Sequence, residues 1–132
     1  PPCSNDLNFT WRSAGWNEET DDAGVSYIAG LAGWWEGKTG IEHYPECLCR
    51  AATPLVSLEA GRTYFIQAGD IDGHCFIFVD GRLAVELFDP DPITQYGKVG
   101  LGTYASWIQA RNFRVRRIVS RPRLLSYTPL FD

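Results

Sequence analysis

Hydrophobic and polar positions alternate along most of this chain with a period of two, the spacing of a β-strand that buries one face. From Asp6 to Trp11, Leu7, Phe9 and Trp11 alternate with Asp6, Asn8 and Thr10, which predicts a half-buried first strand. Ser13 to Gly24 is small, polar and acidic and predicts a loop, in which Trp16 is either a lid over the core or an exposed stacking surface. Val25 to Ala32 and Gly37 to Tyr44 read as the next two strands, and the glycines at 30, 33, 37 and 40 argue against a helix there. Cys47 to Ala52 reads as a short strand, and Pro54 to Ala60 as a connector anchored by Leu55, Val56 and Leu58. Gly61 to Gly69 is expected to be extended, with Tyr64 and Ile66 facing opposite to Phe65 and Gln67.

The clearest local signal runs from His74 to Phe88. An Asp80-Gly81 pair separates two apolar runs, and both residue types tolerate positive φ, so a type I′ hairpin is predicted. The first arm is apolar on both faces and belongs at the centre of a covered sheet; the second, alternating Arg82, Ala84 and Glu86 with Leu83, Val85 and Leu87, has one exposed side. Asp89-Pro90-Asp91-Pro92 must turn. Gly97 to Ala105 and Trp107 to Val119 are predicted as two further strands, and residues 120–132 as a tail packing on the body. With no helical period, the expectation is one all-β domain over 1–132, an antiparallel β-sandwich of jelly-roll type.

Length agrees, since 132 residues suffice for one core and are too few to expect two. No run of about twenty apolar residues exists that would make a membrane span. Charge adds an asymmetry beneath the formal −4: residues 1–110 carry 6 basic and 15 acidic side chains, whereas 111–132 carry 6 arginines and one aspartate. Arg111, Arg114, Arg116 and Arg117 interleave with Phe113, Val115 and Ile118, as on a strand with a solvated face, and a nucleic-acid partner is not expected of a chain acidic overall. Four cysteines, Cys3, Cys47, Cys49 and Cys75, allow three full pairings, and structural or disulfide roles are favoured over zinc; localisation is left open, with an extracellular or periplasmic setting favoured. Asp70, Asp72, Asp89 and Asp91 could hold Ca2+, although such residues are more often turn formers.

The stretch Gly33 to Glu46, GWWEGKTGIEHYPE, concentrates the candidate chemistry. Aromatic faces beside charged and hydrogen-bonding groups suit a sugar site. Trp34, Trp35, Tyr44, Trp107 and Trp16 could stack on a pyranose, while Lys38, Glu42, His43 and Gln109 could hold hydroxyls or a uronate carboxylate. The residues taken forward for ligand binding are Trp35, Lys38, Glu42, Tyr44, Trp107 and Gln109. Strand parity places Lys38, Glu42 and Tyr44 on one face and His43 on the other, which favours binding over chemistry.

The order NDLNFTW, GWWEGKTGIEHYP, GRTYFIQAG, FIFVDGRLAVELFDPDPI, GKVGLGTYAS and NFRVRRI resembles bacterial concanavalin A-like lectin/glucanase sandwiches, in particular galectin-like members found among polysaccharide-degradation genes. The likeness spans most of residues 5–118 and implies a carbohydrate-binding or carbohydrate-processing accessory domain, with acidic plant-wall oligosaccharides as partners. A complete domain of that kind would run longer before the strand matching Asp6 to Trp11. Exposed strand edges are then expected, and with them homo-oligomers formed through those edges.

Enzymatic readings rest on Glu42 and His43. Retaining glucanases of this fold carry two glutamates flanking an aspartate on one strand, their carboxyls about 5 to 5.5 Å apart. Here the intervening residue is Tyr44 and Pro45 interrupts the strand before Glu46, so the hydrolase pattern is not met. A polysaccharide lyase with His43 as proton carrier, Lys38 or Glu42 as its partner and Tyr44 as donor is the catalytic alternative. A structural, self-assembling sandwich whose aromatics are core and interface is the third reading.

Overall fold

The computed structural model describes residues 7–15, 18–21, 24–34, 37–45, 50–54, 56–103 and 106–118, and every regular element in it is a strand. The order is β1 (Leu7–Ser13), β2 (Ser26–Trp34), β3 (Lys38–Tyr44), β4 (Arg50–Thr53), β5 (Ile66–Ile71), β6 (His74–Val79), β7 (Arg82–Phe88) and β8 (Lys98–Gly102). They form two antiparallel sheets, one of order β4-β3-β2-β1-β8 and one of order β5-β6-β7, packed as a β-sandwich. Between them lies the core predicted from the alternation: Trp11 from β1, Tyr27, Ala29 and Leu31 from β2, Ile41 from β3, Cys75 and Ile77 from β6, and Val85 and Leu87 from β7. Side chains as fully enclosed as Leu31, Ile41 and Ile77 each contribute about 1.5–3 kcal/mol by leaving water.

Both hairpins of the smaller sheet turn on an Asp-Gly pair. Asp80 and Gly81 have φ of 50° and 79°, the type I′ geometry expected of them. Asp72 and Gly73, at 48° and 84°, make the same turn between β5 and β6, so Asp72 is a turn former. Its signal is identical to that of Asp80-Gly81 and is hidden by the neighbouring acidic residues.

One irregularity decides where the buried charges go. The β1–β8 register slips between Thr10 and Ser13, which face Gly100 and Lys98, so β1 holds one extra residue. Arg12 takes it up at φ 50°. Consecutive strand residues ordinarily point to opposite faces; the bulge instead lets Trp11 and Arg12 both reach Asp70 on β5. Gly97 lies against this bulge so closely that a Cβ there would sit 2.5 Å from the Arg12 carbonyl carbon.

The structure departs from the sequence expectation over residues 106–118. The predicted strand from Trp107 to Val119 does not form among the described residues: 106–118 lacks ladder pairing, and Trp107, Phe113, Val115 and Ile118 are exposed. Alternation supplies a strand's local preference, but a strand also needs a neighbour to accept its backbone bonds. Cys75 is a buried thiol, not a disulfide, its Sγ 3.8 Å from the Gly73 carbonyl oxygen. Cys3, Cys47 and Cys49, Trp16, Trp35 and the tail 120–132 lie outside the described residues.

Candidate functional site

β3 presents two chemically different faces. Thr39, Ile41 and His43 point into the sandwich and are buried. His43 sits directly opposite Tyr27 on β2, their rings 5.6 Å apart. Both reach Asp89, in the turn after β7: the Tyr27 hydroxyl donates to Oδ2 at 2.7 Å, and His43 Nδ1 lies 2.7 Å from the same oxygen. The Tyr27 oxygen accepts the Ile93 N–H, which leaves its own proton for Asp89. Asp91 N–H donates to the other carboxylate oxygen. A carboxylate among these donors acts as acceptor, which assigns the shared proton to His43 Nδ1. Desolvation, reinforced by the hydrogen bond to Asp89, holds the Tyr27 phenol well above its ordinary range.

A second buried carboxylate lies further along the same interface. Asp70, with a side chain only 4 % exposed, accepts from Trp11 Nε1 at 3.1 Å and from Arg12 Nε at 2.6 Å. The hydrogen bond to Asp70 leads the causes that raise the Arg12 guanidinium above its usual range. Arg12 also donates to the carbonyls of Thr94 and Gln95, tying the segment before β8 to the core. Trp11 and Tyr27 are in ring contact at 5.7 Å, so the two carboxylate clusters form one continuous polar seam.

This seam engages two of the four aspartates named as calcium candidates. Asp70 and Asp89 are occupied by protein donors, Asp72 and Asp91 sit in turns, and no group of three or more His, Cys, Asp or Glu among the described residues is arranged to hold a metal. Its chemistry is that of a buried hydrogen-bonded network, in which an aspartate orients a histidine and a tyrosine that are themselves buried.

The outward face of the larger sheet is where a ligand has access. Cα register sets two rows across all five strands: Gly102, Asn8, Gly30, Gly40 and Ala52, then Gly100, Thr10, Ile28, Glu42 and Arg50. With strands about 4.8 Å apart, each row runs about 19 Å. The first row carries one large polar side chain, Asn8, among four small residues. The face is closed at β2 and β3, where Gly30, Gly40 and Glu42 are buried, and open at β8. There a groove of about 330 Å³ is lined by Asn8, Thr10, Ser13, Gly15 and the whole of β8, a size suited to a small ligand. A Cβ on Gly102 would meet nothing within 4 Å, so that end is unfilled. Lys98 is exposed at the other end, its Nζ 3.1 Å from where a Cβ on Gly15 would be.

The residues singled out from sequence are therefore dispersed. Lys38, Glu42 and Tyr44 share the outward face, with Lys38 and Tyr44 half-buried and Glu42 only 8 % exposed. Glu42 and His43 occupy opposite faces of the sheet, so they cannot flank one substrate bond. Trp107 is 100 % exposed and Gln109 is exposed beside it, both on the unpaired segment after β8. His74 stacks on Phe88 at 4.1 Å and meets Glu86 at 2.8 Å on the outside of the smaller sheet. Sequence reasoning missed the groove residues Asn8, Thr10 and Lys98; the signal was the polar half of the β1 alternation combined with the glycines at 100 and 102. No known protein family, no curated protein and no solved structure matches this chain.

Proposed function

We propose that the protein is a concanavalin A-like carbohydrate-binding sandwich whose ligand lies in the groove over β1 and β8. One observation carries the reading: an open groove in which Asn8 and Thr10 stand opposite Gly102 and Gly100, so hydroxyls can meet polar side chains while the ligand approaches the backbone closely. Lys98 at its rim suits a carboxylate, which favours acidic oligosaccharides such as uronates. Lys38 and Tyr44 share the outward face but lie on β3, outside the groove. Binding suits this geometry better than catalysis, because no general acid and base pair stands among the described residues that line the groove.

The test is a glycan array that includes uronate oligosaccharides, probed with wild type, Asn8→Ala and Gly102→Phe. A phenylalanine at 102 has room to project into the groove without backbone strain. Wild type is expected to retain acidic oligosaccharides and Gly102→Phe to lose them. Absence of binding by wild type would overturn the carbohydrate reading, and equal binding by Gly102→Phe would remove the groove as its site.

A further inference from the structure

Residues 107–118 carry a pattern that nothing among the described residues uses. The stretch reads WIQARNFRVRRI, and none of these residues makes a hydrogen bond, an ion pair or a ring contact, through side chain or backbone, although Ser106 just before it does. Phe113 and Val115 are 58 % and 64 % exposed. Asn112 has a φ of 56°, and in an extended chain beyond it the sequence alternation puts Phe113 and Val115 on one side and Arg114 and Arg116 on the other. The far end is anchored, because the Ile118 Cδ1 lies 3.2 Å from where a Cβ on Gly69 of β5 would be.

Backbone groups without partners among the described residues, β-branched and aromatic residues at alternate positions, and one tethered end are the ingredients of strand addition. We propose that residues 113–118 are an acceptor for an extended partner strand with acidic residues at every second position and apolar residues between. Charge selects that occupant. Arg114 and Arg116 recur at the two-residue spacing of acidic side chains on a facing strand, and Arg111 and Arg117 add to the same field. The same four arginines disfavour a second copy of this segment, because an antiparallel pair would set like charges against each other. The proposal is independent of the carbohydrate groove, which lies on the outward side of β1 and β8.

The experiment uses the whole chain with three capped peptides: alternating Glu and Val, alternating Lys and Val, and the Glu-Val peptide with N-methylated amides. Amide hydrogen exchange by mass spectrometry is read over 107–118. Glu-Val peptide is expected to slow exchange there at least about tenfold, while the other two leave it unchanged. In the exposed double variant Arg114→Glu/Arg116→Glu the preference should switch to the Lys-Val peptide. Three results would overturn the proposal: no slowing with any peptide, equal slowing with all three, or protein-concentration-dependent slowing without peptide, which would make a second copy the occupant.

Discussion

The two faces of β3 are built from neighbouring residues and serve different purposes. Inward, His43 Nδ1 and the hydroxyl of its cross-strand partner Tyr27 close on Asp89, whose side chain is 1 % exposed. Outward, Lys38 and Tyr44 are half-buried on a face that is closed at β2 and β3 and opens into a groove only at β1 and β8. A histidine held by an aspartate is a familiar catalytic pairing, yet its position between the sheets makes it a clamp between the larger sheet and the turn after β7. Reactive residue types do not by themselves mark a site, because burial decides whether a ligand can reach them.

The inward face should be far more sensitive to substitution than the outward one. Replacing Asp89 with Ala leaves a histidine and a buried phenol without their acceptor and is expected to cost about 3–5 kcal/mol, measured by urea unfolding. A cost below about 1 kcal/mol would mean that the clamp is not stabilising. Gly73→Ala comes next, at about 3 kcal/mol, because it imposes a side chain at φ 84° and sets its Cβ 2.5 Å from that of Pro92. Tyr27→Phe removes two hydrogen bonds but keeps the ring, for about 1–2 kcal/mol.

That last variant also has a pH signature. The Tyr27 phenol is raised in the folded state, so its contribution is complete below the unfolded value of about 10 and falls as pH rises beyond it. Unfolding free energies measured between about pH 8 and pH 11 should decline more steeply for wild type than for Tyr27→Phe. Parallel curves would show that the phenol is not held back from ionising. The smallest effect is expected on the outward face, where Lys38→Ala and Asn8→Ala should alter stability by no more than about 0.5 kcal/mol. If Asn8→Ala also lowers glycan binding, the separation of clamp from binding surface is sharpened; a large stability loss there would erase it.

Much of this division was legible in the sequence. The two-residue period of β1, β3 and β7 identifies the core side of each strand, and parity alone separates Glu42 from His43. The Asp80-Gly81 turn is a local signal, and local signals survive without knowledge of the fold. The polar seam is not local: Trp11 and Asp70 are 59 positions apart, Tyr27 and Asp89 are 62. Nothing at Asp70 or Asp89 distinguishes a buried acceptor from a turn former until the sheets are stacked. The unpaired segment misled for the complementary reason, since its alternation records a preference that no described neighbour satisfies.

The bulge at Arg12 constrains how such a sequence can vary. Its backbone occupies the space that a side chain at position 97 would need, and it alone allows two consecutive residues to converge on Asp70. Positions 12, 70 and 97 should therefore drift together. A descendant that acquired any side chain at 97 would have to straighten its first strand, turn the arginine outward and leave the aspartate with the indole alone.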